Sequence, residues 1–352
     1  MIRTAIVGLG AVAAWHRRAL AATAGTTVTA VADTDADRRE QCGREWDVPA
    51  YGTLSALLAA EPVDWVHVCT PPGTHRDLTL QCIEAGVDAL VEKPFALSRA
   101  AFKTVMEAAD AAGVRVTVVH NQVYYDPIQR ACRRVHDGEF GTLHGVAVEW
   151  SEDTDPRTPQ RGEWVLDLPG GEFGEGIVHS LYVGLRAAGY PSDADTVGVG
   201  RVNTTGDERV DYDGICVRYT TADSTVCTIQ HHAGVPDRRR LRFSTDRALV
   251  TADVGTQSVW VTQGSYGPNA AAEYPAARAG VDRLRTAVRA AVSGVAVSAK
   301  RRLVPSYTPH DTHTPVVERE ASALRGEGTG PTPRTEADWT NRLLVDINES
   351  EG

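Results

Sequence analysis

An apolar run, Thr4-Ala5-Ile6-Val7, passes directly into Gly8-Leu9-Gly10-Ala11-Val12-Ala13 and then into a helical stretch from Ala14 to about Thr23. A G-x-G-x-x-A placed between a strand and a helix restricts the fold tightly. Gly8 permits the tight turn, Gly10 lets the backbone approach a pyrophosphate, and Ala13 allows the helix to pack closely on the sheet. The helix N-terminus then faces the anion. Leu9, Ala11 and Val12 complete the turn. A second strand-like run, Thr27-Val28-Thr29-Ala30-Val31-Ala32, ends at Asp33. That is about 20 residues beyond the turn, where a carboxylate accepts from the ribose hydroxyls of a dinucleotide. Asp33 favours NAD, while Arg38 and Arg39 lie near enough in sequence to admit NADP as a second cofactor. Asp33 also has a plainer reading, as the N-cap of the helix that follows.

The same rhythm continues. Leu54-Ser55-Ala56-Leu57-Leu58 reads as helix and Val63 to Cys69 as strand, ending in Thr70-Pro71-Pro72-Gly73-Thr74-His75. Two prolines and a glycine at a strand's carboxyl end make a stiff loop, and Thr70, Pro71 and His75 are candidate cofactor contacts. A helix from Arg76 to Ala85 closes at Gly86. Asp88-Ala89-Leu90-Val91 then drives into Glu92-Lys93-Pro94-Phe95, with Ser98 as N-cap of a helix to about Ala112 whose Phe102, Val105, Met106 and Ala109 fall at helical spacing. The charged pair therefore stands at the carboxyl edge of a parallel sheet, where ligands bind. The abrupt turn there suggests a cis peptide before Pro94. Arg115 to Val119 is the next strand and empties into His120-Asn121. His120 reads as a packed strand-end histidine.

Composition narrows the class. The chain has 352 residues, which suits two domains, and a formal charge of -10, which argues against a nucleic-acid partner. Its 6 cysteines are widely spaced, with no zinc-like cluster and no disulfide framework. Reduced thiols in a cytoplasmic protein are expected, with no metal. No signal-peptide layout or membrane-spanning run is evident.

Together, Gly8 to Ala13, Asp33, Thr70 to His75, Glu84-Ala85-Gly86 and Glu92-Lys93-Pro94 resemble the glucose-fructose oxidoreductase, inositol dehydrogenase and MocA-like (Gfo/Idh/MocA) family of NAD(P)-dependent dehydrogenases. The order and spacing agree over the first third of the chain. The resemblance implies that Lys93 lies beside the nicotinamide and the substrate hydroxyl, where a lysine can hold or relay a proton. Glu92 would orient Lys93 and line the cofactor site. The resemblance also implies a polar residue near the nicotinamide, which here makes Asn121 a candidate cofactor contact.

After residue 121 the period changes. A helical connection over 128–138 leads to a long strand, Leu143 to Trp150, and strand candidates follow at Thr196–Val202, Gly214–Thr220, Thr225–His231, Arg239–Ser244, Ala248–Ala252 and Ser258–Thr262. Such a run predicts a mostly antiparallel sheet with helices on one face. Val217 and Tyr219, and Val226, Thr228 and Gln230, alternate as one buried face would. The resemblance makes the other face an oligomer interface.

Chemistry in this half concentrates between Trp164 and His179. Glu175 and His179 are four apart, so on one helix they share a face and the carboxylate can orient the imidazole as a general base. The resemblance implies glycines followed by Asp-x-Gly-x-His. Here Glu175 takes the aspartate position, Gly176 falls one place early, and Tyr182 stands where a later acidic residue is usual. These departures bear on the substrate more than on the reaction. Expected substrate contacts are Lys93, Tyr124, Arg157, Trp164, Glu175, His179 and Tyr182, with Arg157 and Arg161 able to meet a phosphate or carboxylate. A basic amphipathic segment over 278–302 reads as a helix packed on the second sheet or at a subunit contact. His310-Asp311-Thr312-His313 reads as a loop, because no ligand set near it in sequence supports a metal. Helices are expected over 316–324 and 336–347.

The expected architecture is α/β: a Rossmann dinucleotide-binding domain over 1–121 and an α/β substrate and oligomerisation domain on a largely antiparallel open sheet over 122–352, with the last helix able to pack back on the first domain. The expected activity is NAD-dependent interconversion of a secondary alcohol and a ketone on a sugar, cyclitol or sugar derivative, nucleotide sugars included, in a homodimer or homotetramer. Lys93 and His179 would carry the proton chemistry with Glu175 orienting. Two other readings fit the scaffold: a non-catalytic dinucleotide-binding sensor, and an NAD-dependent glycoside-cleaving enzyme.

Overall fold

The computed structural model describes residues 1–206, 210–262, 288 and 311–350. The chain divides into two compact units, Met1–Asn121 with Thr312–Asp346, and Gln122–Asp311 with Ile347–Gly352.

The first unit is a six-stranded parallel sheet. Its strands are β1 (Ile2–Val7), β2 (Thr26–Ala32), β3 (Ala50–Tyr51), β4 (Trp65–Val68), β5 (Asp88–Val91) and β6 (Val116–Val118), in the order β3-β2-β1-β4-β5-β6. The order reverses between β1 and β4, the switch point at which open α/β sheets bind ligands. Helices α1 (Ala13–Ala22), α2 (Ala36–Trp46), α3 (Leu54–Ala60), α4 (His75–Glu84) and α5 (Arg99–Ala112) connect the strands. The α5 helix shows how local sequence fixes an element. The Ser98 hydroxyl caps it by accepting from Ala101 N–H at 3.1 Å, Gly113 ends it at φ 66°, and Phe102, Val105, Met106 and Ala109 are buried. Each large apolar side chain buried this way contributes about 2 kcal/mol.

Residues 312–346 belong to this first unit, which corrects the expected second domain of 122–352. Helix α9 (His313–Leu324) packs against α1, and α10 (Arg334–Glu349) follows it. Buried carboxylates make the connection: Glu320 accepts from Arg115 Nε at 2.5 Å and from the Thr117 hydroxyl at 2.8 Å, and Glu336 lies 2.7 Å from His120 Nδ1. Asn341 donates to the Ala96 carbonyl at 2.7 Å. Buried charges demand partners. Glu320 and Glu336 find theirs on and beside β6, at residues distant in sequence, so helical periodicity gave no sign of the attachment.

The second unit opens with α6 (Asp126–His136) and is built on a seven-stranded sheet. Its strands are β7 (Leu143–Glu152), β8 (Gly198–Val202), β9 (Gly214–Thr220), β10 (Val226–Ala233), β11 (Arg238–Thr245), β12 (Leu249–Asp253) and β13 (Ser258–Thr262). The order is β13-β12-β11-β7-β10-β9-β8, antiparallel except for the β7–β10 pair. Helices α7 (Gly171–Gly176) and α8 (Val178–Ala188) precede β8, and α8 packs on β7 and β10. In β9 the buried residues include Val217 and Tyr219, but in β10 they are Cys227, Ile229, His231 and Ala233. Val226, Thr228 and Gln230 point the other way, reversing the expected face of β10, because a buried histidine disguises the alternation. The basic segment 278–302 lies outside the described residues, apart from Val288.

Candidate active site

The first unit contributes two carboxylates and a lysine on loops at the carboxyl ends of its strands. Gly8 has φ +85°, and a Cβ there would come within 2.7 Å of the Cys69 backbone, so no larger residue fits the turn. A Cβ on Gly10 would meet nothing within 4 Å, which leaves that backbone bare toward a ligand. Asp33, 9% exposed at the end of β2, accepts from Leu9 N–H at 2.7 Å and Asp35 N–H at 2.8 Å. The N-cap of α2 is Asp35, not Asp33. Arg38 pairs with Asp35 at 3.2 Å and stands 4.0 Å from Asp33, while Arg39 donates to the Asp33 carbonyl at 2.8 Å. The bare Gly10 backbone and the nearly buried Asp33 fit a dinucleotide's pyrophosphate and ribose.

Glu92 is the hub of the next loop. Its Oε2 accepts from Lys93 N–H at 3.1 Å, and its Oε1 lies 2.8 Å from His16 Nε2 and 3.7 Å from His313 Nε2. Burial opposes charge on Glu92, but the hydrogen bond with His16 and the nearby His313 outweigh it and hold the carboxyl well below its usual range. His16 Nδ1 in turn lies 2.8 Å from His67 Nδ1. Burial pushes both histidines down, His67 furthest, so both are neutral. One proton arrangement suits the string: His67 Nδ1–H donates to His16, and His16 Nε2–H donates to Glu92. It leaves His67 Nε2 as an unpartnered lone pair, consistent with the absence of a hydrogen bond at that atom.

Donor atoms of His16, Glu92 and His313 converge to within 4.8 Å, a ligand set the sequence did not reveal at His313. Within it His16 hydrogen-bonds Glu92 at 2.8 Å and His313 stands 3.7 Å from the same oxygen. His75 is buried with both ring nitrogens against carbonyls, Pro94 at 2.9 Å and Thr70 at 2.8 Å, so it braces the Thr70–Pro71 loop against the Lys93 turn. The Lys93–Pro94 bond is cis, and Lys93 is half-buried. Asn121 donates to the Thr312 hydroxyl at 3.0 Å.

In the second unit the expected single helix divides at Ile177, so Glu175 lies in the last turn of α7 and His179 in the first turn of α8. A Cβ on Gly174 would lie 1.8 Å from the Pro169 carbonyl oxygen, so only glycine lets α7 turn this tightly. His179 Nδ1 meets the Tyr182 hydroxyl at 2.6 Å, and the Gln122 N–H donates to the same hydroxyl at 3.0 Å. Tyr182, expected to touch substrate, is fully buried with its hydroxyl at Nδ1 of the imidazole.

Glu175 forms an ion pair with Arg161 Nε at 3.0 Å that is too misaligned for a hydrogen bond. Arg161 also pairs with buried Glu172, and its carbonyl accepts from Trp164 Nε1 at 3.0 Å. Arg157 holds Asp155 bidentately at 2.7 Å. Tyr124 is half-buried. Sequence reasoning missed Glu152, at the end of β7, which burial opposes but nearby positive groups hold down to about 2. His231 Nε2 is 3.7 Å from it and Arg239 is 3.9 Å away. His16 and Glu152 gave no motif signal; each was a lone polar residue within an otherwise ordinary helix or strand.

Residues 2–120 match the Gfo/Idh/MocA model, described as an oxidoreductase family with an NAD-binding Rossmann fold. D-apiose dehydrogenase of Paraburkholderia graminis is 32% identical over 139 residues, 39% of this chain and 37% of that protein. The chain thus aligns with little more than a third of that curated relative. Inositol 2-dehydrogenase of Rhizobium meliloti is 25% identical over 254 residues, 70% of this chain and 72% of the other. The WlbA dehydrogenase of Bordetella pertussis, solved with NADH and UDP-GlcNAcA, superposes with a TM-score of 0.78 at 19% identity, covering 98% of this chain and 94% of that one. At that identity the likeness is one of fold.

Proposed function

We propose, from the premise that this chain belongs through residues 2–120 to the Gfo/Idh/MocA oxidoreductase family, that it is an NAD-dependent dehydrogenase interconverting a secondary alcohol and a ketone on a sugar or cyclitol. The observation that carries this reading is Lys93, half-buried directly after the ionised Glu92 hub at the carboxyl end of β5. NAD, when bound, accepts or returns the hydride. Lys93 of the first unit takes or returns the hydroxyl proton, and His179 is the second unit's own candidate for holding a substrate oxygen. Glu92 fixes the backbone from which Lys93 projects. Positioning of this kind supplies much of the rate enhancement.

Substrate charge is the finer point. Arg157 and Arg161 are committed to Asp155, Glu172 and Glu175, and Glu152 adds a further buried carboxylate that Arg161 also influences. An uncharged sugar or cyclitol therefore suits the described residues better than a phosphate or carboxylate. We further place the protein in the cytoplasm, consistent with six unpaired cysteines, as a homodimer or homotetramer. Val202, Val226 and Leu249 are exposed apolar residues of the second sheet suited to a subunit contact. No described helix is long and apolar enough to cross a membrane. The test is NADH formation across a panel of polyols, free sugars, uronates and nucleotide sugars. NADH formation on uncharged members supports the reading, and binding of NAD without turnover on any member would favour a sensor.

A further inference from the structure

Three side chains of the first unit that no motif joins converge on one point. His16 Nε2 lies 2.8 Å and His313 Nε2 3.7 Å from the same oxygen, Oε1 of Glu92, and one donor atom from each residue lies within 4.8 Å of the others. Four-coordinate zinc, with bonds of about 2.0–2.1 Å, sets its ligand atoms roughly 3.3 Å apart. The two separations at Oε1 straddle that value, so small side-chain movements close a site. Two imidazole nitrogens and one carboxylate oxygen suit a zinc-class ion, whereas calcium and magnesium prefer oxygen ligands throughout. What backs the ligands fits as well. A ligating histidine needs its other ring nitrogen held, which fixes the ring and its tautomer. His16 Nδ1 lies 2.8 Å from Nδ1 of buried His67, and His313 Nδ1 faces the Asn121 amide at 3.5 Å, a group that carries both donors and an acceptor. Glu92 Oε2 accepts from the Lys93 N–H at 3.1 Å, so a metal on Oε1 leaves that turn intact. His16 is fully buried, while the His313 side chain is 13% exposed and stacks on Trp15, itself 37% exposed. An ion therefore enters past these two rings.

We propose that His16, Glu92 and His313 bind one divalent transition-metal ion of the zinc class, with water as the fourth ligand. Binding exchanges the His16–Glu92 hydrogen bond for bonds from both residues to the metal. The His16 proton moves from Nε2 to Nδ1, toward His67 Nδ1, and the His67 proton moves to Nε2, so both rings stay neutral. His67 Nε2 is buried without a hydrogen-bond partner, and its new N–H is a cost that the metal bonds must exceed. The bound ion ties together α1, the loop after β5 and the first turn of α9, elements drawn from both ends of the chain. The site does not rest on the dehydrogenase reading.

The test uses the full chain without an affinity tag, stripped by a chelator and titrated with Zn²⁺ against a chromophoric competitor. One submicromolar equivalent per chain is expected, undisturbed by excess Mg²⁺. X-ray absorption at the zinc edge of the loaded protein should show two imidazoles, with nitrogen and oxygen ligands at about 2.0–2.2 Å and no sulfur at about 2.3 Å. That spectrum separates the site from capture by the 6 cysteines. His313→Ala, at the exposed edge, should weaken binding by more than about 100-fold, and His67→Leu, which removes a supporting group, by about 10–100-fold. Zn²⁺ should raise the melting temperature of the unaltered protein and leave that of His313→Ala where it was. Absence of zinc binding, sulfur ligation, or zinc held as tightly by His313→Ala overturns the proposal. Should His313→Ala fail to fold, the absorption spectrum of the unaltered protein decides alone.

Discussion

The two units hold their buried carboxylates by different means. In the first, Asp33 and Glu92 reach backbone amides of Leu9, Asp35 and Lys93, so charge is spent on shaping loops. In the second, Glu172 and Glu175 are held by Arg161, and Glu152 lies near Arg239 and His231. Backbone-shaping sites need particular residues at fixed spacing, whereas side-chain networks draw on positions far apart in the chain. The first kind favours a site that is rigid and tolerant of few substitutions. The second favours one whose specificity can drift while the scaffold stays.

That contrast can be broken most sharply at Lys93. Lys93→Met should lower kcat/KM by about a thousandfold, within the range for general acid–base groups, while leaving thermal stability and NAD affinity nearly unchanged; turnover within a factor of a few of the unaltered enzyme would remove Lys93 from the chemistry. At Gly8, φ +85° and a Cβ 2.7 Å from the Cys69 backbone make Gly8→Ala destabilising by about 2 kcal/mol or more, measured by urea unfolding, with NAD binding weakened in parallel.

Glu152 tests the side-chain network. Burial opposes the charge on Glu152, but His231 beside it, followed by Arg239 and Arg161, holds the carboxyl down to about 2. A carboxyl depressed on folding stabilises fully above its unfolded value and loses that contribution as pH falls toward its folded value. Glu152→Gln should therefore cost about 2 kcal/mol at neutral pH and flatten the acid limb of stability between about pH 4.5 and pH 2; an unchanged limb would mean that the charge is not held by its neighbours.

The smallest effect is expected from His67. Its folded value lies below the unfolded one, so its neutral form stabilises fully above about pH 6.5 and loses that contribution as pH falls. Melting temperature should decline from pH 6.5 downward, less steeply in His67→Gln.

How much was legible follows the same division. The glycine turn, Asp33, Glu92-Lys93-Pro94 and the Ser98 cap all announced themselves, because each is a local solution to a backbone problem. His16 and His313 were invisible as partners of Glu92, since they lie 76 residues before it and far after it in the chain. The Glu175–His179 pair falls across the junction of α7 and α8 at Ile177, and the Tyr182 hydroxyl, which no spacing suggested, meets the imidazole. Only the last helix was expected to be able to pack back on the first domain; residues 312–346 together group with the first unit because charge pairing, rather than helical periodicity, decides where those helices sit.

The most direct test of the dehydrogenase reading is isotope transfer. With a polyol or sugar that supports turnover, deuterated at the reacting carbon, the account expects one deuterium to appear in the reduced nicotinamide for each ketone formed, and Lys93→Met to slow that transfer. Ketone or free sugar formed without deuterium accumulating in the reduced cofactor would contradict it.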